Sequence, residues 1–374
     1  MGKIKVLELI DGGFLGGGQT NILSILRNID RTKFDVSVAA KGSGGFEHEV
    51  TKYNVPFYPL NLPKILRHRY LDTLQKVQDS ETFDIIHSHG GVGGFYGRLM
   101  KKHNPNIRSV HTIHGIHYLN IDSFLMKNAS KSIEQYLVQF TDKTICVSHS
   151  DYTTAISNRI ADESKTVVIQ NGIDISKYVN EGKNPPIMDE LGLTKENFII
   201  GNVSRFDVQK NQKLIIQASY YLVKKYPEMR FVLVGDGKLL KQMKQYAKES
   251  NLSDVVIFAG EKENLHDYYS IFDVFVLPSL WEGMPYALLE AMASKIPVIC
   301  SNIPNHLEII KNNYSALTVN PHLMDDLFHK ISLLYQNEEL RCKLFVNAYN
   351  EVQKYDEKEM TKMIEDVYRE VTGV

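Results

Sequence analysis

The sequence predicts an α/β protein of two Rossmann-like domains, each a parallel sheet wrapped by helices, facing one another across a cleft. Three observations predict it. Short β-branched apolar runs alternate with helix-length segments along most of the 374 residues. The alternation occurs twice, on either side of a polar break. Glycines, histidines, an arginine and a glutamate follow the strands at what would be the carboxyl edge of each sheet, where folds of this class bind ligands.

The strands of the first half are expected at Ile4–Ile10, Asp35–Ala40, Asp84–His89, Ser109–His114, Lys143–Ser148 and Thr166–Gln170. Those of the second half are expected at Phe198–Val203, Arg230–Val234, Val255–Ala259, Asp273–Leu277, Pro297–Ser301 and Ala316–Val319. Runs this apolar suit strands buried on both faces. The break is Tyr178–Asn197, which contains Glu181-Gly182-Lys183-Asn184-Pro185-Pro186. It divides the chain into an N-terminal domain over 1–180 and a C-terminal domain over 181–355. A charged helical segment follows over 356–374.

Composition excludes several classes. The apolar fraction is 43% and the charged fraction 23%, values of an ordinary globular protein and not of a disordered one. The net charge of −1 is far from the basic balance of a nucleic-acid binder, so no nucleic-acid partner is expected. The halves differ: residues 1–180 carry +4 and residues 181–374 carry −5. The positive half suits contact with something anionic, such as a membrane surface. Cys146, Cys300 and Cys342 form no CxxC, which argues against a zinc knuckle and fits a reducing compartment. No apolar run approaches the roughly 18 residues of a membrane span. A cytoplasmic protein is expected, meeting the inner face of the cell membrane at most peripherally.

The motifs then narrow the chemistry. After the first strand comes Gly12-Gly13-Phe14-Leu15-Gly16-Gly17-Gly18-Gln19, a turn whose backbone N–H groups can approach an anion at a helix start. A dinucleotide site would want an acid closing the second strand, but that strand ends Ala39-Ala40-Lys41. This weakens an NAD-dependent oxidoreductase. No Gly-Lys pair is followed by Ser or Thr, which removes a P-loop. In the second half, Ser204-Arg205 ends a strand, and Lys210 follows five residues after Arg205 at the opening of a helix. A guanidinium and an ammonium there suit a phosphate group. Gly235 and Gly260 end the next two strands. Then comes Glu282-Gly283-Met284-Pro285-Tyr286, with Glu290 eight residues after Glu282 in an apolar helix. Pro285 is expected in the first helical turn, leaving the Gly283 and Met284 amides for a ligand. Glu282 and Glu290 are expected to line one side of a pocket, as acceptors for sugar or ribose hydroxyls.

The whole set resembles the family 4 glycosyltransferases of the GT-B fold, the bacterial capsule, exopolysaccharide and lipopolysaccharide enzymes most of all. The resemblance runs from about Lys3 to about Asn320, and it implies that the segment over 356–374 crosses back to the first domain. It rests on Gly16-Gly17-Gly18-Gln19, Asp84-Ile85-Ile86-His87-Ser88-His89, Thr112-Ile113-His114-Gly115, Gln170-Asn171-Gly172-Ile173-Asp174, Ser204-Arg205-Phe206, Gln209-Lys210-Asn211, Val234-Gly235-Asp236-Gly237 and the Glu282–Glu290 spacing.

The resemblance implies a retaining transfer of a hexose or N-acetylhexosamine from a nucleotide sugar, UDP favoured over GDP, to a glycan or lipid-linked acceptor in cell-surface polysaccharide synthesis. It implies that Arg205 and Lys210 bind the donor diphosphate and that Glu290 takes the ribose. Glu282, with Gly283, Met284 and Pro285, would hold the sugar, and Gly17 and Gly18 would approach the diphosphate. His114 would face the sugar near the reacting carbon. Ser204, Gly235 and Gly260 fall on the donor side, and His87, His89 and Asn171 on the acceptor side. The absence of a DxD fits cations in place of a required metal, and no other cofactor is implied. The stretch Lys64–Arg69 suits a peripheral membrane contact. A nucleotide-sugar isomerase on the same fold is the nearest alternative activity.

Overall fold

The computed structural model describes residues 2–62, 69–120, 123–179 and 182–374. Lys64, Arg67 and His68 of the basic stretch lie outside the described residues, as do Asn180 and Glu181 of the polar break. The chain forms two compact units. One is Met1–Gly172 together with Glu357–Val374, and the other is Ile173–Asp356.

The first unit holds β1 (Ile4–Leu9), β2 (Phe34–Ala40), β3 (Phe57–Pro59), β4 (Ile85–His89), β5 (Arg108–Ile113), β6 (Lys143–Cys146) and β7 (Thr166–Val168). They form one parallel sheet in the order β3-β2-β1-β4-β5-β6-β7. Six of the seven lie where the apolar runs predict them, within one or two residues at their ends. β3 is an addition at the sheet edge. It is three residues long, preceded by Pro56 and ending in Pro59, so no periodicity marks it.

Both faces of this sheet are covered. Along β1, Val6 points into a core shared with Ile22, Ile25, Met360, Ile364 and Val367. Leu7 and Leu9 point the other way, onto Leu74, Tyr96 and Met100. Period-2 alternation thus feeds two apolar layers. The C-terminal helix, Glu357–Thr372, belongs to this first layer. Its Met360, Ile364, Val367 and Tyr368 recur at helical spacing and are buried. At its start Glu357 accepts from Arg27 Nη1 at 2.5 Å, and Glu365 accepts from the Asp30 amide at 2.8 Å.

The second unit holds β8 (Phe198–Val203), β9 (Met229–Val234), β10 (Val256–Gly260), β11 (Val274–Leu277), β12 (Val298–Ser301) and β13 (Leu317–Val319). All six were expected. They pair in parallel in the order β10-β9-β8-β11-β12-β13. In each sheet the strand order reverses once beside the first strand of the unit, between β1 and β4 and between β8 and β11. A doubly wound sheet opens a crevice at that reversal, at the carboxyl ends of the strands. Most of the predicted site residues of each unit follow the strands that flank its reversal.

Candidate active site

In the second unit β8 ends in Ser204 and Arg205. The Ser204 hydroxyl donates to Asn202 Oδ1 at 2.6 Å, and Gln212 Nε2 donates to Ser204 Oγ at 2.8 Å and to the Arg205 carbonyl at 2.9 Å. The loop after β9 closes against this turn. Gly235 has φ +132°, and a Cβ there would lie 2.2 Å from the Ser204 carbonyl oxygen, so only glycine fits. The Gly235 amide donates to the Gly260 carbonyl at 2.8 Å, tying the ends of β9 and β10. Ser204, Gly235 and Gly260 thus build the floor on which Arg205 stands. The Arg205 side chain is 61% exposed, and its Nε lies 3.9 Å from Asp207. It is a cation extended into solvent.

Lys210 is placed differently from the sequence expectation. It ends a single 3-10 turn, Val208–Lys210, and Asn211, in the left-handed region at φ 53°, separates it from the helix Gln212–Lys225. That turn aims Lys210 at Glu282 in the loop after β11. Nζ donates to Oε1 at 2.6 Å and to Oε2 at 2.8 Å. Gln209 Nε2 adds a bond to Oε2 at 3.1 Å and holds the Trp281 carbonyl at 2.8 Å. Burial pushes the Glu282 carboxyl up most strongly, but Lys210, His306 and the Ser279 hydroxyl together outweigh it and hold the group below its ordinary range.

Glu290 has other partners. Tyr178 Oη donates to Oε1 at 2.9 Å and Tyr269 Oη to Oε2 at 2.8 Å. Burial raises its pKa, against the pull of the two hydroxyls. So the two glutamates do not share one set of contacts. Glu282 is an ion-paired carboxylate, and Glu290 is a buried one held by two phenols. Environments that push two carboxylates apart in this way suit them to different tasks. The helix that carries Glu290 is Tyr286–Ala293, with Pro285 at its N-cap, one position earlier than expected; Gly283 and Met284 precede it.

In the first unit, strand register gathers the histidines. Glu8 on β1 pairs with His87 on β4, and His89 pairs with Thr112 on β5. Period-2 alternation then puts Glu8, His87, His89, Thr112 and His114 on one face. Glu8 Oε2 accepts from His89 Nε2 at 2.7 Å, and Glu8 Oε1 accepts from Tyr368 Oη at 2.6 Å. His87 Nδ1 lies 2.7 Å from Tyr368 Oη and 3.2 Å from Glu8 Oε2, and its Nε2 lies 2.7 Å from Thr112 Oγ1. His89 Nδ1 meets His114 Nε2 at 2.9 Å. Burial pushes Glu8 up, yet His87 and His89 together hold it well below the usual carboxylate range. Burial lowers His89 to about 4, with Glu8 opposing. Glu8, His87 and His89 each offer a possible metal-ligating atom within 4.8 Å of the others. Hydrogen bonds within the network engage all of those atoms.

Gly17 opens the helix Gly17–Asn28, and Gly18 lies against His114: a Cβ there would be 2.8 Å from Ile10 Cδ1 and 3.5 Å from His114 Cδ2. His114 also lines a cavity of about 280 Å³ with Val92, Phe95, Ile113, Tyr118 and Ile133. His87 and His89 sit behind it, fully enclosed, and Asn171 is buried too, accepting from Asn21 Nδ2 at 3.1 Å. All three residues expected on the acceptor side are thus buried in this structure. Their own sheet and the C-terminal helix cover them.

Several residues around these sites escaped the sequence reading. Glu8 had a signal, a lone charge in an apolar strand. Tyr178, Tyr269 and Tyr368 had none, since their partners lie far away in sequence, and Gln209 stood in a quoted motif without a role. His306 is another. It is fully buried, Nδ1 is 3.0 Å from the Ser301 carbonyl, and Nε2 has no hydrogen-bond partner among the described residues. Burial lowers its pKa to about 4, against the pull of Glu282.

Two doubly wound units of this kind define the GT-B fold. Residues 15–177 match the family described as Glycosyltransferase Family 4, and residues 183–351 match Glycosyl transferases group 1. The UDP-Gal:alpha-D-GlcNAc-diphosphoundecaprenol alpha-1,3-galactosyltransferase of Escherichia coli is 28% identical, over 98% of this chain and 97% of its own length. The putative glycosyltransferase EpsD of Bacillus subtilis is 26% identical, over 90% and 89%. Among solved structures, HepE of Anabaena in complex with UDP and glucose superposes with a TM-score of 0.85 at 20% identity, covering 97% of this chain and 99% of that one. The chain belongs to the family 4 glycosyltransferases.

Proposed function

We propose that this glycosyltransferase moves a hexose or N-acetylhexosamine, with retention, from a UDP-sugar to a lipid-linked saccharide or glycan during assembly of a cell-surface polysaccharide. The observation that carries the reading is the Lys210–Glu282 pair with Arg205 at the reversal of the second sheet. Breaking the bond from the donor sugar to the diphosphate leaves negative charge on the departing phosphate. Preorganised cations stabilise that charge most when they are already in place. Arg205 is extended for a bidentate grip, and Lys210 is fixed by Glu282. Cations in this role would supply what a bound divalent metal supplies in other transferases.

Glu290 would take the ribose hydroxyls. A carboxylate has about four lone-pair sites, so the two tyrosines leave room for two more donors. Glu282 with Gly283, Met284 and Pro285 would hold the donor sugar; within the first unit, Gly17 and Gly18 suit a phosphate group and His114 a sugar. The end-to-end likeness to the Escherichia coli galactosyltransferase supports a UDP-sugar donor and a lipid diphosphate acceptor, both of which that enzyme's name carries.

No helix among the described residues is long and apolar enough to cross a membrane. Contact with the inner membrane face is supported by Phe124, Leu125 and Met126, which are 76%, 79% and 61% exposed at the start of the helix Phe124–Leu137, near Lys127 and Lys131. The experiment is a thermal-shift panel of UDP-, GDP- and ADP-sugars, followed by assay of nucleotide release with a polyprenyl-diphosphate saccharide. A UDP-sugar that raises Tm and releases UDP only with acceptor supports the reading. Stabilisation by no nucleotide sugar overturns it.

A further inference from the structure

We propose that Glu8 and His89 are positioning residues for His114, a buried chain that fixes the ring and the tautomer of the one histidine in the network that borders a cavity. The proposal rests on the glycosyl-transfer reading of His114 and adds residues to it.

The argument follows the protons. An ionised carboxylate only accepts hydrogen bonds. Glu8 Oε2 stands 2.7 Å from His89 Nε2, so that nitrogen carries a proton. In a neutral imidazole the other nitrogen is then a lone pair. His89 Nδ1 therefore accepts, and its partner at 2.9 Å, His114 Nε2, donates. One tautomer of His114 satisfies the chain, with hydrogen on Nε2 and a lone pair on Nδ1. The two rings lie 5.2 Å apart at 20°, so the bond also sets the plane of His114.

The surroundings protect this arrangement. Glu8 takes further hydrogen bonds from Tyr368 at 2.6 Å and from the His87 side at 3.2 Å, which compensate a charge with no access to water. Thr112 holds His87 from the other end at 2.7 Å. His111 and Ser88 face the opposite side of the sheet, and a Cβ on Gly94 would meet both His111 and the Arg98 guanidinium there. Packing alone would be served as well or better by apolar side chains of the same volume. A closed acceptor–donor chain that ends on a cavity-lining histidine is the pattern by which a third group orients a reactive ring.

The test is the tautomer itself, read in the full-length protein selectively labelled with 15N-histidine. Two-bond 1H–15N correlations should show protonated Nε2 on both His89 and His114. In Glu8→Gln the carboxamide can donate as well as accept, so the chain can invert. A mixture or reversal of tautomer at His114 is expected, with kcat down about 10–100-fold and donor KM within about twofold. Ser88→Ala, on the other face of the same strand, should leave the His114 tautomer as in wild type. If Glu8→Gln does not fold, His89→Gln removes the link and should release the His114 tautomer in the same way. A folded variant that keeps both the wild-type tautomer and the wild-type kcat overturns the proposal. So does a wild-type spectrum with protonated Nδ1 on His114. If no nucleotide sugar is turned over at all, the transferase reading fails while the tautomer measurement still decides the chain.

Discussion

Lys210 reaches both oxygens of Glu282, at 2.6 and 2.8 Å, across 72 residues of sequence. The pair is buried unequally, with 17% of the lysine side chain and 5% of the glutamate side chain exposed. Its partner Arg205 has no such clamp. The two cations that the sequence presents as equals are thus a fixed charge and an extended one.

Replacing them should separate stability from catalysis. Lys210→Ala leaves an uncompensated buried carboxylate and should cost about 3–5 kcal/mol, nearer the lower value because the ammonium keeps some contact with water. Arg205→Ala should change stability by less than about 0.5 kcal/mol. Both should reduce nucleotide-sugar turnover at least 100-fold. Chemical denaturation and a UDP-release assay on each variant check the contrast.

The pH dependence of stability follows from the same pair. Glu282 has a folded pKa below its unfolded value, so its contribution is present above about 4.5 and is lost as pH falls through the lower folded value. Glu290 is raised, so its sign is opposite: ionisation weighs against the folded state as pH climbs past 4.5. Glu290→Gln should therefore flatten or raise Tm between pH 5 and 7 relative to wild type, while donor binding weakens. Calorimetric scans across that range, paired with nucleotide titrations, measure both effects.

Glycine positions give a steric test. Gly235→Ala would bring a methyl group within 2.2 Å of the Ser204 carbonyl at a φ of +132°, and should cost several kcal/mol through displacement of the Arg205 turn. Gly18→Ala meets a movable Ile10 methyl at 2.8 Å and should cost about 1–3 kcal/mol, with a larger loss in turnover because His114 lies beside it. Equal losses of stability at the two sites would contradict this ranking.

Membrane contact and metal use are checked together in one preparation. Phe124→Ser, Leu125→Ser and Met126→Ser combined should leave Tm unchanged and reduce cosedimentation with anionic vesicles by about tenfold. Extensive treatment with EDTA should leave UDP release unaltered if Arg205 and Lys210 carry the leaving-group charge. A loss of turnover restored by Mg²⁺ or Mn²⁺ would place a metal in the reaction.

Much of this architecture was legible in the residues. Twelve of the thirteen strands among the described residues announce themselves because a strand buried on both faces is mostly apolar, as β8 and β9 are apart from Asn202 and Arg230. β3 does not, since three residues between prolines carry no period. Arg205, Lys210, Glu282 and Glu290 were visible because they follow strands. What those residues touch was not. The tyrosines on Glu290 come from positions 112 and 21 residues away, and Tyr368 on Glu8 from 360 away. No local pattern encodes a contact that only the fold creates. The same limit explains why His87 and His89 read as contact residues: a strand-end histidine looks alike in sequence whether water or a distant helix covers it.

The C-terminal helix gives that last contact a dimension in time. During synthesis, the first sheet leaves the ribosome with Glu8 in place, but Tyr368 arrives only after the whole second unit has been made. At about 5–20 residues per second, that interval is roughly 10–40 s. Throughout it the first unit carries a carboxylate short of one donor and an apolar groove awaiting Met360, Ile364 and Val367. A chain cut short anywhere in the second unit never fills that groove. The first unit's core therefore closes only when the Glu357–Thr372 helix docks, after the second unit has been synthesised.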